Sequence, residues 1–259
     1  MRTPGDRVVN QDVLGQLVEL SNRLGAEPDV AIIGEGNTSA AADDESFFVK
    51  ASGCELRTAG AGHFVRLSFP RVLSMLDGPE PSDDQVTEWL GRTKIDPAFP
   101  ARPSTEALLH AVCLQVPGVR WVGHTHPVAV NAMACSQAFE RFACRRIFPD
   151  HIVVCGPIPL LVPYADPGVP LARELSRRLN EFVVEHGHAP KEIFLQNHGL
   201  IALGASAREV WNITLMSVKA SRILAATMEF GGPRFMPQAD VDRIASRADE
   251  AYRRKVFGT

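Results

Sequence analysis

Ile193-Phe-Leu195-Gln196-Asn-His198-Gly199-Leu200-Ile-Ala-Leu203 is the stretch that decides the fold class of this chain. Two short apolar runs flank a polar segment that ends in glycine, the pattern of two strands joined by a tight hairpin. A hairpin joins antiparallel neighbours, whereas parallel neighbours need a long crossover. Strands adjacent in sequence therefore argue against a doubly wound parallel sheet and for a mixed or mostly antiparallel one covered by helices.

Working outward, Ala31-Ile-Ile33 predicts a short strand that runs into a turn, Gly34-Glu-Gly-Asn37-Thr-Ser39. Phe47-Phe-Val-Lys50 predicts a second strand before the loop Ala51-Ser52-Gly53. His63, Val65, Leu67 and Phe69 alternate along a third. Residues 152–164 are apolar and β-branched and predict strand with a turn at Gly156-Pro157. Helical spacing marks residues 13–24, 128–136, 171–185 and 241–252, and Ser206 with Glu209 opens a long helix to about 230. A further helix starts at Pro103-Ser104, with Ser104 as its N-cap. Residues 77–84 and 92–103, rich in proline and polar residues, read as loops. No linker divides the chain, so residues 1–230 are expected to form one domain, with 231–259 a helical tail on that domain or on a neighbouring subunit.

At 259 residues, with 45% hydrophobic and 22% charged residues, the composition is that of a globular protein. A net charge of −3 speaks against a nucleic-acid or polybasic membrane partner. The polar amino terminus does not read as a signal peptide, and no apolar run approaches the ~20 residues of a membrane span. Cys54, Cys113, Cys135, Cys144 and Cys155 are scattered without a CxxC pair, which fits reduced thiols in a cytosol and argues against zinc–cysteine ligation. The expectation is a cytoplasmic protein that acts on a small molecule.

The chemistry gathers around Trp121-Val-Gly-His124-Thr-His126-Pro127. Side chains two apart on a strand share a face, so His124 and His126 make a pair of metal ligands, and Pro127 ends the strand behind them. His198, on the hairpin turn, is a third; its competing reading is a turn residue that merely tolerates positive φ. Three imidazoles leave open positions on a divalent cation, the arrangement of a catalytic site. Zinc suits imidazole best, with manganese, cobalt and iron left open. Glu106 is the acid, one helical turn before His110 on the same face. The competing role for Glu106 is to complement the helix dipole; His110 is read as structural. Gly36-Asn37-Thr38-Ser39, Ala51-Ser52-Gly53 and Ser104-Thr105 offer backbone amides and hydroxyls suited to an anion.

In order along the chain, Gly36-Asn37-Thr38-Ser39, Val49-Lys50-Ala51-Ser52-Gly53, Pro103-Ser104-Thr105-Glu106 with His110, His124-Thr125-His126-Pro127, Pro163-Tyr164-Ala165 and Asn197-His198-Gly199-Leu200 resemble the class II aldolase/adducin family. The resemblance implies a three-layer α/β/α domain with a central, mainly antiparallel mixed sheet, in a homotetramer with active sites between subunits. It implies His124, His126 and His198 as metal ligands and Glu106 as acid/base and an extra ligand without substrate. Gly36, Asn37, Thr38, Ser52, Gly53, Ser104 and Thr105 would then hold the substrate's phosphate. A tail tyrosine serves as proton donor in family aldolases, and Tyr252 is the candidate here, since Tyr164 reads as part of the core pattern. The function implied is a metal-dependent lyase that cleaves a phosphorylated ketose through a metal-stabilised enediolate. A 4-epimerase or a 3-keto-acid-phosphate decarboxylase would use the same site. A non-catalytic adducin-like module and an unrelated histidine-ligated oxygenase or hydrolase are the rivals from other classes.

Overall fold

The structure, a computed structural model, describes residues 4–250, with side chains described from residue 12. The elements follow as α1 (Pro4–Ala26), β1 (Asn37–Ala41), β2 (Ser46–Lys50), β3 (Phe64–Ser68), α2 (Phe69–Leu73), α3 (Asp83–Arg92), α4 (Ala107–Leu114), β4 (Trp121–Thr125) and α5 (Val128–Ala134). They continue with α6 (Phe139–Ala143), α7 (Pro149–Cys155), β5 (Leu160–Val162), α8 (Val169–His186), β6 (Glu192–Leu195), β7 (Gly199–Gly204), α9 (Ala207–Thr227) and α10 (Gln238–Ser246).

Seven strands form one sheet in the order β3-β2-β1-β4-β7-β6-β5. Among the described residues, the β5–β6 pair is parallel and the other pairs are antiparallel, as the hairpin predicts. Both faces are covered, and the period of two is visible in which residues go where. Phe47, Val49, Val122, Ile201 and Leu203 pack with α4 and with Leu171, Leu175 and Leu179 of α8. The residues between them, Ala40, Phe48, Trp121 and Ala202, pack with Leu17, Leu20 and Leu24 of α1 and with Val210 and Ile213 of α9. The result is a three-layer α/β/α sandwich. Gly123 belongs to this tight packing: a Cβ there would lie 2.6 Å from Cγ1 of Val210.

Several elements differ from expectation, and Phe69, expected at the end of the third strand, instead opens α2. The stretch 31–33 is not a strand; Ile32 and Ile33 are 53% and 78% exposed, and Ile33 takes a left-handed φ of 53°. The chain there is held instead by two bonds to the end of β4 and the start of α5, His126 N to Val30 O and Val128 N to Asp29 O. The strand is Asn37–Ala41, whose first three residues fall in the expected turn. Its small residues lie between two closely packed helical layers and are buried on both faces, so no polar–apolar alternation marks it. Residues 149–155 are helical (α7), opened by Pro149 and stopped at Gly156 with φ 79°; only 160–162 of the expected strand forms. Finally α3 forms where no helix was expected, capped by Ser82 and Gln85 in a reciprocal box.

Candidate active site

Three local periodicities converge on one point of the sheet. On β1, Asn37 and Ser39 face α4, while Thr38 between them faces α1, its hydroxyl 2.5 Å from Oγ of Ser21. On β4, His124 faces α4, and His126 follows just past the strand end. On the helix side, Glu106 and His110 are four apart and so lie one above the other. Register completes the arrangement, with Asn37 opposite His124 across β1–β4 and His124 opposite Ile201 across β4–β7.

The hairpin turn delivers His198. Asn197 carries the positive φ of 55°, His198 N bonds to Leu195 O, and Asn131 Nδ2 donates to the His198 carbonyl at 3.0 Å. The positive-φ role therefore belongs to Asn197. Gly199 lets the turn close on the other two imidazoles: a Cβ there would lie 2.6 Å from Thr125 O and 2.8 Å from Cδ2 of His126.

The ring centroids of His124, His126 and His198 stand 4.8, 4.9 and 5.1 Å apart, and one nitrogen of each lies within 4.8 Å of the others. Nδ1 of His124 donates to Leu200 O at 3.0 Å, which fixes the tautomer and leaves Nε2 with its lone pair toward the centre. Nε2 of His126 faces that atom at 3.1 Å. Glu106 Oε1 lies 3.4 Å from His124 Nε2 and 3.2 Å from His198 Nε2. Three converging imidazole nitrogens beside a carboxylate oxygen are a donor set that fits a divalent cation.

Electrostatics without a cation follow this geometry. Burial pushes the Glu106 carboxyl up, but His124 and His198 outweigh it and hold the group well below the usual range. Burial lowers His124, and the Glu106 charge more than offsets that and raises it. His126 is held down to about 3, first by burial and then by the neighbouring imidazoles.

Helix α4 starts at Ala107, not at Pro103-Ser104. Glu106 is its cap residue, and Ser104 Oγ accepts from Glu106 N at 3.2 Å. Ser52 and Gly53 form a turn beside Ser104 and Thr105, because Ala51 bridges Pro103 and Ser52 N bonds to Arg102 O. Gly53 adopts φ 75°, and Gly36 adopts φ 66° against the carbonyl of His124. Of the proposed phosphate residues, Thr38 is turned away from the site, fully buried with its hydroxyl against Ser21 of α1. Tyr164 is 57% exposed and not a core residue; Pro163 and the Asp166 turn carry it outward, and its hydroxyl bonds to Asp166. Tyr252 lies outside the described residues.

Lys50 is a site residue that motif spacing does not mark; its one signal in the sequence is a lysine at the end of an otherwise apolar strand. It is buried, and its ammonium donates to the carbonyls of Ala51 and Cys54. Burial lowers its pKa, opposed by the charges of Cys54 and Glu106. A second group, His151, Cys155 and Glu192, is also close enough to share a cation. Arg146 fills that role already, with its guanidinium 2.7 Å from Glu192 Oε1.

The chain is 28% identical over 235 residues to YuxG, an uncharacterized oxidoreductase of Bacillus subtilis (strain 168). That match covers 86% of this chain but 32% of YuxG, so the chain spans about a third of that relative's length. Among solved structures, YgbL of Klebsiella pneumoniae, whose name leaves aldolase, epimerase and decarboxylase open together, superposes with a TM-score of 0.70 at 20% identity. That superposition covers 91% of this chain and 98% of YgbL. An L-fuculose 1-phosphate aldolase gives 0.66 at 18% identity, over 90% and 94% of the two chains. Both likenesses establish the shared fold. The profile of the class II aldolase and adducin N-terminal domain spans residues 15–225 and so takes in the histidine strand, Glu106 and the hairpin: the chain belongs to that family.

Proposed function

We propose that this protein is a metal-dependent carbon–carbon lyase acting on a small phosphorylated ketose. His124, His126 and His198 would hold one divalent cation, zinc in preference to manganese, cobalt or iron. The observation that carries the reading is the position of Glu106, whose Oε1 faces two of the three imidazoles while its Oε2 accepts from Asn37 Nδ2 at 2.5 Å. A bound cation would supply Lewis-acid stabilisation for charge that develops on the substrate's oxygens. Glu106 Oε1, held at the edge of that centre, takes or returns the proton at carbon. The hydroxyls of Ser52, Ser104 and Thr105, with the turns at Gly36 and Gly53, hold the phosphate, and Lys50 sets a positive charge behind them. Asn37 belongs with Glu106 and not with the phosphate. Tyr252 is the proposed second proton donor. A cytoplasmic homotetramer is the proposed assembly, checked by sedimentation.

Epimerisation and decarboxylation begin from the same proton or carbon departure, and the name of YgbL keeps both in view. An adducin-like module without chemistry has no use for three converged imidazoles around an ionised carboxylate. The test is incubation of the zinc-loaded protein with dihydroxyacetone phosphate, the smallest phosphorylated ketose, in heavy water, followed by ketose phosphates assayed for aldehyde and for carbon dioxide. Exchange of the carbon-bound proton with aldehyde release supports the lyase. Carbon dioxide release, or neither product and no exchange, contradicts it.

A further inference from the structure

Beneath Glu106 runs an unbranched chain of buried hydrogen bonds. Ser39 Oγ lies 2.6 Å from Nδ1 of His110, Nε2 of His110 contacts Oδ1 of Asn37, and Asn37 Nδ2 donates to Glu106 Oε2 at 2.5 Å. Ser39 and His110 are fully buried and Asn37 nearly so. The direction of the chain is set at its end. An ionised carboxylate only accepts, so Asn37 must give it the Nδ2 group and turn Oδ1 back. Oδ1 also only accepts, so His110 carries its proton on Nε2. Its Nδ1 then has only a lone pair, and the Ser39 hydroxyl donates to it.

We propose that His110 is a positioning residue for Glu106: by holding the Asn37 amide in one orientation, it pins Oε2 as an acceptor and leaves Oε1 as the one oxygen that exchanges protons with substrate. A flipped amide would set Oδ1 against Oε2 and Nδ2 against the His110 Nε2 proton, and would require both a protonated Oε2 and the other His110 tautomer. The neutral ring suits the task, since burial holds His110 down to about 3. The proposal rests on Glu106 as the acid/base, but its first test does not.

Long-range proton–nitrogen NMR of the full chain reads the imidazole tautomers directly, with His110 assigned by the signal lost in His110→Gln. The expected result is a proton on Nε2 and none on Nδ1 between pH 6 and 8, needing neither metal nor substrate. A proton on Nδ1, or a doubly protonated ring, overturns the proposal whatever the reaction proves to be. The second test compares variants by exchange into dihydroxyacetone phosphate and by thermal melting. His110→Leu is expected to lose ~10–100-fold in kcat, the scale seen when a ligand's supporting partner is removed, with KM near native. His110→Gln, whose amide both donates and accepts, should restore most of it. A folded His110→Leu with native kcat, or a folded His110→Gln as slow as His110→Leu, contradicts the positioning role.

Discussion

Asn37 stands opposite His124 in the antiparallel β1–β4 pair, and this one register position joins the two halves of the site. From β1, Asn37 holds Oε2 of Glu106; from β4, Nε2 of His124 lies 3.4 Å from Oε1. A slip of one residue in this pair would put the two side chains on opposite faces of the sheet. The site is thus fixed by sheet register, with α4 laying its carboxylate over the seam.

Replacing Glu106 with Gln keeps the shape and removes the proton acceptor. Turnover should fall by ~10²–10⁴-fold, the usual worth of a general acid/base, while zinc content stays native. Native turnover in a zinc-loaded Glu106→Gln variant would move the proton transfer elsewhere.

Arg146 and Glu192 form a buried pair, both essentially inaccessible, and Ser217 donates to the second carboxylate oxygen at 2.5 Å. Arg146→Leu leaves that carboxylate without its counter-charge and should cost ~3–5 kcal/mol in urea unfolding. Arg146→Met with Glu192→Leu removes both charges and should recover much of the loss. An Arg146→Leu protein of native stability would contradict the pairing.

Stability of the metal-free protein should depend on pH with a definite sign. Burial holds His110 and His126 down to about 3 and lowers His151 as well, from 6.5. The unfolded chain therefore takes up these protons first, so their contribution is full above pH 6.5 and is lost as pH falls toward 3. Glu192, held at about 2 by Arg146 and His151 against the push of burial, extends the loss below pH 4.5. His124, raised by Glu106, works in the other sense and loses its contribution as pH rises. Three histidines outweigh one, so the Tm should fall from pH 7 to pH 4; a flat or rising Tm would contradict this electrostatic picture.

Gly36 and Gly53 both have left-handed φ, but only Gly36 is confined: its Cβ would lie 2.6 Å from the His124 carbonyl, whereas nothing lies within 4 Å of that on Gly53. Gly53→Ala should cost about 1–2 kcal/mol from backbone conformation alone. Gly36→Ala should cost about 1–3 kcal/mol more from overpacking and should loosen His124. Equal losses in urea unfolding would mean that the contact does not matter.

The hairpin and the two-residue spacing of His124 and His126 were legible because period two and turn chemistry leave direct marks in sequence. The strand that carries Asn37 was not. Asn-Thr-Ser-Ala-Ala is short, small and buried on both faces, so it mimics a turn, while the β-branched Ala31-Ile-Ile33 beside it mimics a strand. The same bias misread α7, where Ile152-Val-Val154 lies in a helix packed against α9 and α10. Here tertiary packing overrides local preference. His110 could be placed near Glu106 by its spacing, but the Asn37 amide that links them depends on a register that only the folded sheet reveals.

The most direct measurement is metal content per chain, by elemental analysis of protein purified without chelator, with His124→Ala alongside. The account predicts about one zinc, manganese or cobalt per chain, lost in the variant while the fold survives. A folded protein that holds no divalent metal and takes none up on addition would contradict it.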